Sequence, residues 1–411
     1  MEARKKRIEE LDILRGFALF GVLLVNLTMM HTSRTGFHVS RMGLEGINRL
    51  SALGIEIFFQ GKFYTIFSIL FGLGFYLFMN RGENAKTVEN AKTAENAKAS
   101  DHALKEEGFS SMTPFFIRRM ILLLIFGILH LVFVWHGDIL HTYALIGLIL
   151  LWKRDKTEES LLRGILIWLL IAAFLNGVLT AMIEVPTLFH AMVTSERIPY
   201  ADEIYSQGSY LELLRFRLVY EVQNIPVDLL FILPKILGLF YMGFYLGRIG
   251  LFENLNKHRD WIKKTFSISA LVSLVLILIL QYMSPFTGGE VPYYTLAFLE
   301  GSLGEVLTLT GSAFYMSGLL LLLDNSRWQK ILRPLKYMGR MALTNYLVQT
   351  LFWSVVFNGY GLGLYGKLPY WSFFPLALGF FMLQLFFSKS WLSRQKTGPM
   401  EALWRRLTYG T

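Results

Sequence analysis

The side chains best suited to moving a proton cluster around His136-Gly137-Asp138, where an acid and an imidazole flank a single glycine. An Asp near a His orients the ring and raises its basicity, which is what a general base requires. His130 precedes this turn and His141 follows it. Glu56, Lys62, Lys235, Glu300 and Glu305 lie within or at the ends of long apolar runs. An ionisable group inside a bilayer costs at least ~2.5 kcal/mol on insertion scales, so such groups face protein and pair. The expectation is a polar cavity with His136, Asp138 and His130 as catalytic candidates and Lys62, Lys235, Glu300 and Glu305 as substrate contacts. For any single His, a buried ring satisfied by a nearby carbonyl is the plain alternative.

A second constellation has a different chemistry. Asp12 and Arg15 open the first apolar run and share one helical face. Asn26, farther along, suits interhelical hydrogen bonding. Arg118 and Arg119 open a later run, and Arg333, Lys336 and Arg340 precede one that carries Thr344, Asn345 and Gln349. A basic mouth leading to a polar helix face suits a phosphate-bearing ligand; anchoring by positive charge at a membrane surface is the alternative. Asp12, Arg15, Arg118, Arg119, Asn345 and Gln349 complete the substrate-binding candidates.

Several chemistries are excluded. The chain has no cysteine, so thiolate catalysis, disulfides and thiolate metal sites are absent. No HExxH and no His pair at i, i+4 occurs, so no metal is expected. Neither a GxSxG elbow nor a Walker loop is present. The net charge of +10 does not form one basic face for nucleic acid.

The elements that must position these residues are membrane helices. Of the 411 residues 54% are hydrophobic and 17% charged, with 34 Phe, 19 Tyr and 9 Trp, whereas soluble domains carry about 25% charged residues. Crossing ~30 Å of hydrocarbon takes about 20 apolar residues. Runs at 11–30, 58–79, 118–136, 138–152, 162–182, 227–247, 265–283, 294–323, 341–358 and 371–388 predict an all-α integral membrane protein, a bundle of about ten transmembrane helices. The short turn at His136-Gly137-Asp138 makes the third and fourth a tight hairpin. With both termini cytoplasmic, the inside segments hold 30 of the 40 Lys and Arg and the outside segments 7; Arg15, Lys62 and Lys235 fall within spans. The first run lacks a small-residue cleavage pattern and reads as a retained helix.

The organisation follows. Residues 1–80 form an N-terminal helix pair. Residues 81–117 form a cytoplasmic linker holding the repeat ENAKTV-ENAKTA-ENAKAS, whose polar composition has no core potential. Central helices occupy 118–247, with an outer segment 183–226 whose stretch Tyr210 to Tyr220 is amphipathic and suits an interfacial lid or cap. A C-terminal helical region spans 248–411.

Five segments carry a resemblance: LDILRGFALFGVLLVN (Leu11 to Asn26), GKFYTIFSILFGLGF (Gly61 to Phe75), HGDILHTYALIG (His136 to Gly147), GRMALTNYLVQT (Gly339 to Thr350) and GPMEALWRRLTYG (Gly398 to Gly410). The chain resembles the YeiB-like bacterial membrane family, which contains domain of unknown function 418, and the ENAK insertion is its one departure. The resemblance implies a bacterial cytoplasmic membrane location and assigns 248–411 to the family's domain. The family is commonly described as involved in transport. More remotely, the LDILRG opening is similar to that of transmembrane acyltransferases, which move an acyl group from a cytoplasmic donor such as acetyl-CoA to an acceptor at the membrane, with an outward His as key residue.

Two functions fit these readings. An acyltransferase would hold acetyl-CoA or another acyl-CoA as co-substrate at the basic mouth and deprotonate an acceptor hydroxyl or amine with a hairpin His. A transporter would use the polar interior as a solute path, with Lys235, Glu300, Glu305 and the His as a proton relay. Either partners the lipid bilayer and a small molecule, binds no cofactor tightly, and leaves the oligomeric state open. The acyl-CoA reading requires Arg333, Lys336 and Arg340 to face a cavity.

Overall fold

A computed structural model describes residues 7–32, 43–93, 101–151, 157–184, 197–283 and 293–410. Every regular element among them is helical. Long apolar runs form α1 (Glu9–Met30), α6 (Glu158–Glu184), α10 (Arg259–Met283), α11 (Tyr293–Leu323) and α15 (Phe373–Arg394). Gly61, at φ +81°, separates α2 (Gly46–Phe58) from α3 (Lys62–Thr93), so the predicted run at 58–79 begins as two helices. The chain then forms α4 (Asp101–Phe133) and α5 (Leu140–Leu151), followed after α6 by α7 (Arg197–Gln207) and α8 (Tyr210–Phe216). A π-helical turn, Arg217–Glu221, and a short 3-10 turn connect α8 to α9 (Ile225–Arg248). The remainder supplies α12 (Ser326–Leu332), α13 (Leu335–Arg340), α14 (Ala342–Phe357) and α16 (Pro399–Tyr409).

Among the described residues, eight stretches are long and apolar enough to cross a membrane, by length and composition. The other two predicted runs form α5 and α14, of 12 and 16 residues. At 1.5 Å per residue these measure only about 18 and 24 Å against ~30 Å of hydrocarbon.

Two differences from the sequence reading concern the loops. Residues 81–93 continue α3 and residues 101–117 belong to α4, so most of the predicted linker is helical; its Glu, Ala and Lys are strong helix formers. The remaining repeat residues, 94–100, lie outside the described residues, as do 185–196 of the outer segment and Arg34 and Arg41. The amphipathic stretch from Tyr210 does not stand apart as a lid. It is the first part of the helical run that becomes α9, with Leu211, Leu218 and Val219 exposed and Leu213 and Phe216 buried.

Burial separates centre from rim. In their most apolar windows, Glu9–Met30 and Tyr210–Arg248 are 61% buried against neighbours, whereas Glu158–Ile183 and Arg259–Met283 are 11% buried. The rim helices show Leu166, Leu170, Phe174, Leu271 and Leu278 outward, surfaces suited to lipid. At the centre, α3 and α9 touch backbone to backbone. A Cβ on Gly243 would lie 1.9 Å from the Ile69 carbonyl oxygen, and one on Gly72 would lie 2.2 Å from that of Phe240. Small residues permit such close packing where lipid removes the hydrophobic drive between helices. Pro234 within α9 donates no backbone hydrogen bond and stands beside the buried Lys235.

Candidate functional site

The α4–α5 hairpin builds the core of the site. Gly127 lets α5 lie directly on α4, since a Cβ there would come 2.3 Å from the His141 backbone nitrogen. Asp138, two residues ahead of α5, accepts the His141 N–H at 3.0 Å and so satisfies one of the donors a helix start leaves unpaired. The same oxygen, Oδ2, lies 3.0 Å from His141 Nδ1, and Oδ1 lies 2.9 Å from His130 Nδ1. One carboxylate therefore holds two imidazoles. An ionised carboxylate only accepts, so each ring donates from Nδ1 and presents Nε2 as its basic nitrogen.

The two rings differ in what lies beyond. His130 is 4% exposed, and its Nε2 is closed off by Thr350 Oγ1 at 2.6 Å. Tyr346 packs across it with ring centroids 5.4 Å apart. His141 instead lines the main cavity together with Asp138, Thr142 and Tyr346, and among the described residues its Nε2 meets the Thr142 hydroxyl, at 3.2 Å. Of the two rings on Asp138, that of His141 faces the cavity, and His130 holds Asp138 from the other side.

His136 does not pair with Asp138. The turn carries it to the Tyr205 hydroxyl, 3.2 Å from Nδ1, and to Glu221, whose Oε2 lies 3.5 Å from Nδ1. The physical reason is the capping role of Asp138: its carboxylate must point along α5, toward His141, and His136 on the other side of Gly137 is directed elsewhere.

The cavity holds about 4250 Å³ and is lined by residues from both ends of α1. Along α1 its wall includes Asp12, Arg15, Leu19, Val22, Asn26 and Met29, one helical stripe rising roughly 26 Å at 1.5 Å per residue. At the α1 N-terminal end it is lined by Arg119, Arg333, Arg340, Lys396 and Arg405; at the other it is lined by His136, Asp138, His141, Glu221 and Asp228. Lys235 and Glu305 enter its side wall as an ion pair at 2.7 Å, with the Lys235 ammonium 4.7 Å from the Tyr64 ring centre and Glu305 Oε1 buried without a hydrogen bond.

The remaining candidates divide clearly. Asp12 is bound by Arg7 and, at 3.4 Å, by Arg15, while Glu9 joins Arg333 at 2.9 Å and Lys336 at 3.1 Å. Part of the basic mouth is thus neutralised from α1, and Lys336 does not line the cavity. Arg119 lies 3.8 Å from the centre of the Trp404 ring, whose Nε1–H donates to the Arg119 carbonyl. Arg118 and Glu300 are exposed and outside the cavity lining. Lys62 is buried at the start of α3 and directs its ammonium toward the Gln60 carbonyl at 3.4 Å, also outside that lining. Asn345 and Gln349 bind α14 to α15 through Ser388 at 3.0 Å and Gln384 at 2.8 Å. Among the described residues, no group of three or more His, Cys, Asp or Glu is arranged to hold a metal ion.

Comparison with known proteins places the chain. Residues 246–411 match the family described as protein of unknown function DUF418. The uncharacterised 39.9 kDa protein in the amylase 3' region of Bacillus acidopullulyticus is 30% identical over 99% of this chain and 95% of its own length. The chain belongs to the YeiB-like DUF418 family. Two more relatives span nearly the whole chain: the uncharacterised protein YxaH of Bacillus subtilis, 28% identical over 98% of this chain and 94% of its own, and the uncharacterised protein YeiB of Escherichia coli, 25% identical over 97% and 95%. No solved structure matches. The DUF418 segment contributes Tyr346, Thr350 and the Arg340–Arg405 end of the cavity, whereas Asp138 and His141 come from the preceding hairpin.

Thr350 and Tyr346 were not singled out from the sequence, although their spacing of one helical turn beside Asn345 and Gln349 marks one polar face. His141 stands three residues after Asp138, the spacing of a carboxylate that caps a helix start.

Proposed function

We propose that this protein is a membrane-embedded acyltransferase that takes an acyl group from an acyl-CoA-like donor at the cytoplasmic end of the cavity and passes it to an acceptor reaching His141. The observation that carries this reading is the single cavity joining the arginine-lined end to the Asp138–His141 pair. Arg119, Arg333, Arg340 and Arg405 supply donors for phosphate oxygens. His141 Nε2 takes the proton of an acceptor hydroxyl or amine as its oxygen or nitrogen attacks the thioester carbonyl; Asp138 stabilises the imidazolium. The carbon–sulfur bond then breaks and His141 returns the proton to the departing thiolate. The products are the acylated acceptor and a free thiol.

In the same reading the chain crosses the bacterial cytoplasmic membrane about ten times with both termini inside, α5 and α14 completing the count beside the eight longer stretches. The distribution of Lys and Arg supports it. The second reading, a solute transporter, is favoured by the buried Lys235–Glu305 pair on the cavity wall, a charge arrangement suited to a proton relay. Purified protein given acyl-CoA should release thiol and acylate an acceptor, and Arg340→Glu or Arg405→Glu should weaken donor binding. Absence of binding and turnover with every acyl-CoA tried, alongside solute uptake into proteoliposomes, selects the transporter.

A further inference from the structure

Near His136 one charged group is left over from every interaction described so far. The π-helical turn Arg217–Glu221 departs from ordinary helix geometry, as such turns do at functional positions. Arg217 is 1% exposed, and its Nε, Nη1 and Nη2 are all buried without a hydrogen bond among the described residues. The Glu221 carboxylate lies 4.0 Å from Nε, beyond hydrogen-bond reach. Glu221 turns instead to the Tyr205 hydroxyl, 2.7 Å from Oε1, and keeps Oε2 3.5 Å from His136 Nδ1. Tyr205 is fixed in turn by stacking on Tyr365, 5.5 Å away, whose hydroxyl donates to Asp202 at 2.6 Å. Phe216, Tyr220 and Glu221, neighbours of Arg217 in sequence, line the cavity with His136, while Arg217 itself is buried outside that lining.

A guanidinium stays charged and carries five N–H donors in a fork that matches a carboxylate. The Arg217 charge is balanced by Glu221 at 4.0 Å and the group lies 6.0 Å from the Tyr205 ring centre, yet most of its donors stay unfilled, a cost that an anion completing the fork would remove. We infer that Arg217, with Tyr205 and His136, forms a subsite for a carboxylate-bearing small molecule at the cavity end opposite Arg333 and Arg405. A carboxylate fits better than a phosphate for two reasons. The two oxygens of a single-charge carboxylate match the two parallel N–H groups of the fork. A doubly charged phosphate would also meet stronger repulsion from Glu221 than a single charge does. The subsite operates whether His141 acylates the bound molecule or only lets it pass, so its test is separate from that of the transfer reaction.

The test is binding to the purified full-length protein in detergent, with sodium acetate, butyrate, succinate and benzoate as probes and sodium chloride and inorganic phosphate as comparisons. Calorimetric titration and the thermal unfolding midpoint are both read. The subsite predicts saturable binding of at least one carboxylate in preference to phosphate. Arg217→Gln and Arg217→Lys should each weaken it about tenfold or more, because the bidentate fork is lost in both, and Tyr205→Phe should weaken it less. The exposed Arg163→Gln serves as control and should bind like wild type. If Arg217→Gln does not fold, Arg217→Lys and Tyr205→Phe carry the comparison. Wild-type protein that responds to no carboxylate beyond the chloride effect, or Arg217 variants that bind as wild type does, overturns the inference and leaves Arg217 a structural partner of Glu221.

Discussion

Replacing Asp138 by Asn separates the charge of this carboxylate from its shape. Asp138 accepts three hydrogen bonds: from His130 Nδ1 at 2.9 Å on Oδ1, and from His141 Nδ1 and the His141 backbone N–H at 3.0 Å each on Oδ2. An amide oxygen in the Oδ2 position keeps both bonds to His141. The amide nitrogen then faces His130 Nδ1, which accepts if the ring carries its proton on Nε2, where Thr350 Oγ1 at 2.6 Å can receive it. Each of the three bonds keeps a partner and only the second amide N–H gains none, so the exchange of charge-assisted for neutral hydrogen bonds costs about 1–2 kcal/mol of stability. Catalysis fares differently, because the anion that stabilises the His141 imidazolium is gone, and general-base assistance of about 10²–10⁴-fold is at stake. Asp138→Ala leaves three buried donors unpaired and should cost at least about 3 kcal/mol. Thermal unfolding of the detergent-purified variants, followed by tryptophan fluorescence, and acyl transfer measured as thiol release check both halves. An Asn variant that unfolds as early as the Ala variant refutes the tautomer argument. One that turns over like wild type refutes the use of the charge.

Gly127→Leu should force α4 and α5 apart at His141, with a loss of about 1–3 kcal/mol and of activity, seen as a lowered unfolding midpoint. Lys235→Met alone should cost about 3–5 kcal/mol by stranding Glu305, whereas Lys235→Met with Glu305→Gln should recover much of that, a coupling a double-mutant cycle measures. Because the chain has no cysteine, single introduced cysteines report sidedness directly: Ser393→Cys should react with an impermeant maleimide only from the cytoplasmic side and Lys367→Cys only from outside.

The sequence discloses the helical bundle because hydropathy is a local property. Eight of the ten apolar runs return as long apolar helices, and the tight α4–α5 hairpin follows from the brevity of its turn. The break at Gly61 escapes hydropathy, since one positive-φ glycine does not lower the mean of an apolar window. The continuation of α3 to Thr93 reflects helix propensity in a segment whose polarity alone suggests a linker. At the site, residue types were legible and pairings were not. His130 and Asp138 belong together, yet the second imidazole on Asp138 is that of His141, and His136 lies against Tyr205 and Glu221. Nothing within the hairpin reveals that Thr350, 220 residues away, closes one ring and leaves the other open. The polar face of α14 likewise reads as a ligand surface in one dimension and serves as hydrogen-bonded contact to α15 in three.

The central claim is tested most directly by thiol release from acyl-CoA by the protein reconstituted in lipid vesicles, comparing wild type with His141→Gln. Wild-type protein should release thiol with acylation of an acceptor, and the variant should bind acyl-CoA as tightly while losing about 10²-fold or more in turnover. A variant as active as wild type, or wild-type protein that neither binds nor consumes any acyl-CoA, would contradict it.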